Sequence, residues 1–231
     1  MIVGLTGGIA CGKSAVTSRL RTRRTVDVVD LDELARRVVE PGRRAYHRIK
    51  QQFGDKVILA DGTLDREAIG ERIFSDPHAR RALNSATHLP ILWELLLDVA
   101  AAKAAGSRLI VLDAPLLFES SLHLLCHTTV VVHVSSETQL ERLQERDGRS
   151  RDEAEQRVNS QMPLAHKVGR ADVLIDNNGQ SEATDRLVDE LASRLEAAAA
   201  VWSLRHALRD ALLAILLNVV LVVSGMSRRL S

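Results

Sequence analysis

The chain has 231 residues, with 31 Lys and Arg against 30 Asp and Glu for a formal net charge of +1. Hydrophobic residues make up 45% and charged residues 26%, the composition of a folded globular chain rather than a disordered one. Aromatic residues are only 3%, so neither a basic field nor a stacking surface for nucleic acid is available, and the core falls to Leu, Val, Ile and Ala.

In chain order, Ile2–Thr6 reads as a short buried strand that runs into glycines and then a helix from Lys13 to about Leu20. Val26–Asp30 is a second strand, and Leu31–Val39 a helix stopped by Glu40-Pro41-Gly42. Helices are expected over Arg43–Phe53, Asp65–Ser75, Pro77–His88 and Pro90–Ala105. Arg108–Asp113 and Thr129–Val134 are apolar strands, and Ser136 is placed to cap a helix reaching about Arg146. Asp147–Arg170 is charged and helix-prone, Val173–Ile175 is a last strand, and Glu182–Ala200 a last helix. Short apolar strands alternating with helices predict an α/β fold with a parallel sheet covered on both faces. The stretch 43–105 contains helices only and is expected to form a small cap over the ligand cleft.

The strongest chemical signal is Gly7-Gly8-Ile9-Ala10-Cys11-Gly12-Lys13-Ser14, which matches G-x-x-x-x-G-K-[ST] between a strand and a helix. Glycines let backbone N–H groups curl around phosphate oxygens, and the following helix turns its positive end to the same anion. Lys13 is expected to bridge the β- and γ-phosphates, and the Ser14 hydroxyl to ligate Mg²⁺. The strand ending at Asp113 has the form of one that brings an acid near the metal, but Ala114-Pro115 follow it. A water-activating Glu is missing there, and no guanine-reading Asn-Lys-x-Asp occurs, so transfer to a bound hydroxyl is favoured over hydrolysis. Asp30 and Asp32 are both candidates for the acceptor-side base, and either could instead be a helix cap. Arg142 and Arg146 share one helical face and could reach a transferring phosphoryl from a lid, or simply solvate.

Cys11 and Cys126 cannot build a disulfide framework, no zinc spacing occurs, and the first residues carry no targeting pattern. A cytoplasmic, reducing location is the expectation. The end of the chain differs. Residues 211–223 are apolar apart from Asn218 and Gly225-Met226 extend them, but about 16 such residues span only roughly 24 Å of a ~30 Å hydrocarbon core. Three readings stay open for 201–231: a hydrophobic C-terminal helix anchored in a membrane, one docked on protein, or a disordered end.

These residues together resemble the dephospho-coenzyme A kinase family. The resemblance is carried by Leu5–Ser14, by Val29-Asp-Leu-Asp-Glu-Leu-Ala-Arg-Arg-Val-Val-Glu-Pro-Gly42, by Pro115-Leu-Leu-Phe-Glu119, and by Ala171-Asp-Val-Leu-Ile-Asp-Asn-Asn-Gly179. It implies a P-loop fold like that of nucleoside-monophosphate kinases, with a five-stranded parallel sheet, a helical acceptor cap at about 43–105 and a lid at about 147–170. The kinase domain would cover 1–200, with its core at about 1–42 and 106–200. It implies transfer of the ATP γ-phosphoryl to the ribose 3′-hydroxyl of dephospho-CoA, with Mg²⁺, and no nucleic-acid partner. Lys13, Asp32 and Arg142 would be catalytic. Gly7 through Ser14, Ala15, Asn177, Asn178 and Gly179 would bind ATP, the last three near adenine. Thr6, His88, Pro115, Leu116, Leu117, Phe118, Glu119 and Arg146, with Asp32 and Arg142, would meet the acceptor or its phosphate. Thr87-His88-Leu89-Pro90 departs from the family's usual His-Pro, which weakens the role of His88. Eukaryotic members often carry a hydrophobic end, which favours the membrane reading of the tail. The alternative is a related P-loop kinase acting on a nucleotide or another small hydroxyl acceptor.

Overall fold

The structure is a computed structural model and describes residues 1–148 and 150–202. A five-stranded sheet has the order β2-β3-β1-β4-β5, formed by β1 (Ile2–Gly7), β2 (Val26–Asp30), β3 (Leu109–Asp113), β4 (Thr128–His133) and β5 (Val173–Asp176). The registers of β1 with β3 (Ile2 beside Ile110), of β1 with β4 (Val3 beside Thr128) and of β4 with β5 (Val130 beside Val173) are all parallel. Burial follows position in the sheet. Every residue of central β1 and of β3 is buried, whereas edge strands β2 and β5 include exposed and half-buried positions. The chain leaves β1 toward one side of the sheet and returns on the other through β4, so the loop after β1 lies where the strand order reverses, the usual seat of a ligand.

Two compact units divide the chain. Among the described residues, one comprises Met1–Val29 and those from Ala102 to Trp202, and the other Asp30–Ala101. The first holds the sheet with α1 (Lys13–Arg21), α6 (Ser136–Asp147), α7 (Arg151–Asn159), α8 (Leu164–Val168) and α9 (Ser181–Trp202). Val3, Leu5, Val16, Leu20, Val111, Val130, Val132 and Val188 build its core. Helix α9 is tied to α1 by the Arg19–Asp189 pair and to the turn after α1 by Arg23, whose Nη2 bonds Glu196 at 3.2 Å and Ser193 at 2.9 Å.

The second unit is helical: α2 (Leu31–Arg37), α3 (Arg44–Phe53), α4 (Arg66–Ser75) and most of α5 (Pro77–Ala104). Tyr46, Ile49, Phe53, Val57, Leu64 and Ile69 form its own core. Here the structure corrects one expectation. Pro77–His88 and Pro90–Ala105 are not separate helices, because α5 runs through Pro90 without a break. A proline removes one main-chain donor and strains the preceding turn, yet long flanking helical segments and buried Ala86, Leu95 and Val99 keep the helix continuous through it. A second correction is local: Ser135, not Ser136, caps α6, its Oγ accepting from the Thr138 amide at 3.1 Å.

The expected C-terminal helix of 201–231, with its apolar stretch 211–226, lies outside the described residues from 203 onward. Among the described residues no helix is long and apolar enough to cross a membrane.

Candidate active site

The phosphate loop leaves β1 at Gly7 and enters α1 at Lys13. Two backbone positions in it are left-handed, Ala10 at φ 60° and Gly12 at φ 81°. Successive turns of this kind fold main-chain N–H groups toward one concavity, a nest for an anion. Among the described residues, the amides of Ile9, Ala10, Gly12, Lys13 and Ser14 donate to no protein acceptor, whereas Cys11 donates to Gly8 O at 3.2 Å and Ala15 to Gly12 O at 3.0 Å.

The loop is held from behind through its carbonyls. Lys167 Nζ lies 3.4 Å from Gly7 O, Gln139 Nε2 donates to Ile9 O at 2.8 Å, and Asn177 Nδ2 donates to Cys11 O at 2.9 Å. A peptide unit is planar, so a carbonyl pinned outward turns the next residue's N–H the opposite way. Fixing Ile9 O and Cys11 O therefore aims the Ala10 and Gly12 amides into the nest. The fit is close. A Cβ on Gly8 would stand 2.6 Å from Gln139 Nε2, and one on Gly12 would stand 2.1 Å from Asn177 Nδ2.

Lys13 pairs with Asp113, which is 3% exposed at the end of β3. The Thr17 hydroxyl lies 2.7 Å from the other Asp113 oxygen and 3.0 Å from Lys13 O, its one proton shared between these acceptors. The lysine, the acid and the first turn of α1 are thus one assembly beside the nest. Ser14 follows Lys13 in that turn. Arg142 on α6 donates to Asn177 O at 3.0 Å, which leaves further N–H groups of its fork for another acceptor. Burial pushes the Cys11 thiol above its ordinary value, against the opposing pull of the Gly8 and Val134 amides and of the Arg142 and Lys167 charges.

Several expected site residues take other places. The Asn177 side chain, 8% exposed, is committed to Cys11 O and to the Thr184 hydroxyl at 2.7 Å, so it supports the loop and is not presented to a base. Asn178 and Gly179 are exposed beside it, with Asn178 Oδ1 accepting from the Ser135 amide at 2.8 Å. Thr6 is fully buried and donates to Pro115 O at 3.0 Å. Leu117 and Phe118 are interior residues, which leaves Pro115, Leu116 and Glu119 as the outward part of that loop. Arg146 forks onto Asp147 at 2.8 and 3.2 Å rather than sharing the Arg142 surroundings, and Asp147 also takes Arg157 at 2.6 Å.

In the helical unit, Asp30 is the N-cap of α2, its Oδ1 accepting from the amides of Asp32 at 2.9 Å and Glu33 at 3.1 Å. The structure thereby separates the two acids that the sequence left interchangeable: Asp30 caps, and Asp32 stands exposed in the first helical turn. His88 is exposed on α5. Gln139 and Lys167 were not among the residues expected at the site. A glutamine in a helix and a lysine in a charged segment carry no local mark of burial.

A phosphate nest between a parallel strand and a helix, with its lysine paired to a strand-end acid, is the arrangement of a P-loop nucleotide-binding protein. Residues 1–183 match the family model described as dephospho-CoA kinase. The chain is 46% identical over 197 residues to a dephospho-CoA kinase domain-containing protein of Danio rerio, covering 84% of this chain and 85% of that one. It is 44% identical over 182 residues to a dephospho-CoA kinase of Saccharomyces cerevisiae, covering 77% and 76%. A crystal structure from Thermus thermophilus, of the protein TT1252, superposes with a TM-score of 0.73 at 33% identity, covering 84% of this chain and 97% of that one. The chain belongs to the dephospho-CoA kinase family, a family of phosphotransferases.

Proposed function

We propose that this protein transfers the γ-phosphoryl group of ATP to the ribose 3′-hydroxyl of dephospho-CoA, giving coenzyme A and ADP, the last step of coenzyme A synthesis. The observation that carries the reading is the set of unengaged loop amides beside the Lys13–Asp113 pair, in a chain of this family. Those amides would cradle the β-phosphate, and Lys13 would follow charge onto the γ-phosphoryl and the bridging oxygen as it leaves. The acceptor oxygen forms the new bond to phosphorus, the bond to the β–γ bridging oxygen breaks, and its electron pair leaves with ADP. Asp32 would take the hydroxyl proton, and Arg142 would hold an equatorial phosphoryl oxygen.

Hard oxygen donors suit Mg²⁺, and the Ser14 hydroxyl and Asp113 carboxylate beside the nest are of that kind. When bound, the ion would neutralise phosphate charge; the protein's own part is to hold the oxygens and the loop. Asn178 and Gly179 would border adenine. The proposal includes a kinase domain over 1–200, with an acceptor cap at about 43–105, where His88 lies, and a lid at about 147–170 that carries charge over the phosphates together with Arg146. Pro115, Leu116 and Glu119 would face the acceptor. It also includes a cytoplasmic enzyme whose largely apolar 211–226 stretch gives a means of membrane attachment.

The test is ADP release by the full chain with Mg²⁺ and ATP, comparing dephospho-CoA with AMP, and the mass of the product. One phosphoryl gained by dephospho-CoA and none by AMP is expected. Turnover on AMP with none on dephospho-CoA would move the chain to the alternative, a kinase for another hydroxyl acceptor.

A further inference from the structure

Lys167 has no part in the chemistry above, yet it is the largest fully buried side chain of the described residues, at 0% exposed. Its Nζ lies 2.7 Å from Pro115 O, 3.0 Å from Glu119 Oε1 and 3.4 Å from Gly7 O. Each of these acceptors belongs to a different feature of the site. Gly7 is the last strand residue before the phosphate loop, and Pro115 O also receives the Thr6 hydroxyl at 3.0 Å. Glu119 accepts the Met162 amide at 3.2 Å, which ties down the chain between α7 and α8. One ammonium group therefore joins the root of the phosphate loop, the loop after β3 and the segment expected to act as a lid.

An ion pair whose ammonium is buried and whose carboxylate stays partly in water is a weak source of stability, because desolvating the ammonium offsets much of the attraction, and an apolar residue of similar volume often serves as well. Fold stability alone thus gives no physical reason for a lysine here. Geometry gives one. The Gly7–Gly8 peptide is the first of those whose carbonyls are held from behind, and the Ile9 and Cys11 carbonyls depend on neutral donors from Gln139 and Asn177. A rotation at the first peptide displaces all that follow.

We propose that Lys167 is a positioning residue for ATP: by bonding Gly7 O and Pro115 O together it sets the phosphate loop in register with the strand-end acid and couples that register to the α7–α8 segment. This rests on the kinase reading for its consequence in turnover, but its effect on ATP binding depends on the loop alone.

The experiment replaces Lys167 in the full chain by Met, similar in length and without charge, and by Gln, neutral but still a donor. ATP binding in the presence of Mg²⁺ is measured by calorimetry with no acceptor present, alongside kcat and the circular-dichroism melt. Lys167→Met is expected to weaken ATP binding at least tenfold and lower kcat at least tenfold in folded protein, with Lys167→Gln between it and the wild type. A purely structural lysine would instead reduce the active fraction and leave the dissociation constant of the folded molecules unchanged. That result, or failure of both variants to fold, overturns the proposal. Because binding is compared with the wild type without acceptor, an error in the assignment of dephospho-CoA would show in the turnover arm and leave the binding arm intact.

Discussion

Replacing Gly12 by Ala should damage the phosphate loop by a predictable amount. Gly12 has φ 81°, where an L side chain costs about 1–2 kcal/mol. The new Cβ would stand 2.1 Å from Asn177 Nδ2, so the amide must move. That amide bonds Cys11 O at 2.9 Å and the Thr184 hydroxyl at 2.7 Å, and leaving one buried partner unpaired costs about 1–3 kcal/mol. The sum is roughly 2–5 kcal/mol, which most domains of this size survive with their fold intact. Urea unfolding reads the loss in Gly12→Ala, Asn177→Ala and the double variant. Because the same hydrogen bonds are removed by either change, the double variant should fall short of additivity by about 1–3 kcal/mol. ATP binding should already be largely lost in Gly12→Ala, since the Gly12 amide is one of those aimed into the nest. Additive effects, or a Gly12→Ala protein within about 0.5 kcal/mol of wild type, would refute the account of Asn177 as the wall behind Gly12.

Asp30 and Asp32 should separate cleanly: Asp30→Ala removes the α2 cap and should cost about 1 kcal/mol in thermal unfolding, whereas Asp32→Asn should cut turnover by roughly 10²-fold or more with ATP affinity near wild type. An Asp32→Asn protein with normal turnover would remove Asp32 from the chemistry. Acid should loosen α9 from α1. The Arg19 guanidinium, hydrogen-bonded to Asp189, holds that carboxyl below its ordinary value of 3.8. A depressed folded value means that the pair's contribution is complete above 3.8 and is lost as the pH falls through the lower, folded value. The urea midpoint should fall over that range, and Asp189→Asn should flatten the fall; an unchanged slope would show the pair to be irrelevant to docking.

What the sequence determined by itself was what short-range physics controls. The phosphate loop announces itself in consecutive residues because its glycines, lysine and serine act on one anion through one turn of chain. The strands β1, β3 and β4 each carry a run of consecutive buried residues because both faces of the sheet are covered there, so they are readable without knowing their neighbours. Motifs spread along residues 1 to about 179 identified the family for the same reason, each being a local pattern. Even the choice between Asp30 and Asp32 needed only one turn of helix, but it turned on main-chain geometry that residue types do not fix. The tertiary structure decided which side chains stand behind the loop. Gln139, Lys167 and Asn177 reach it across 130, 160 and 166 residues. No periodicity marks a lysine in a charged segment as buried, because its burial is defined by acceptors on Gly7, Pro115 and Glu119 that only the folded sheet brings to one place.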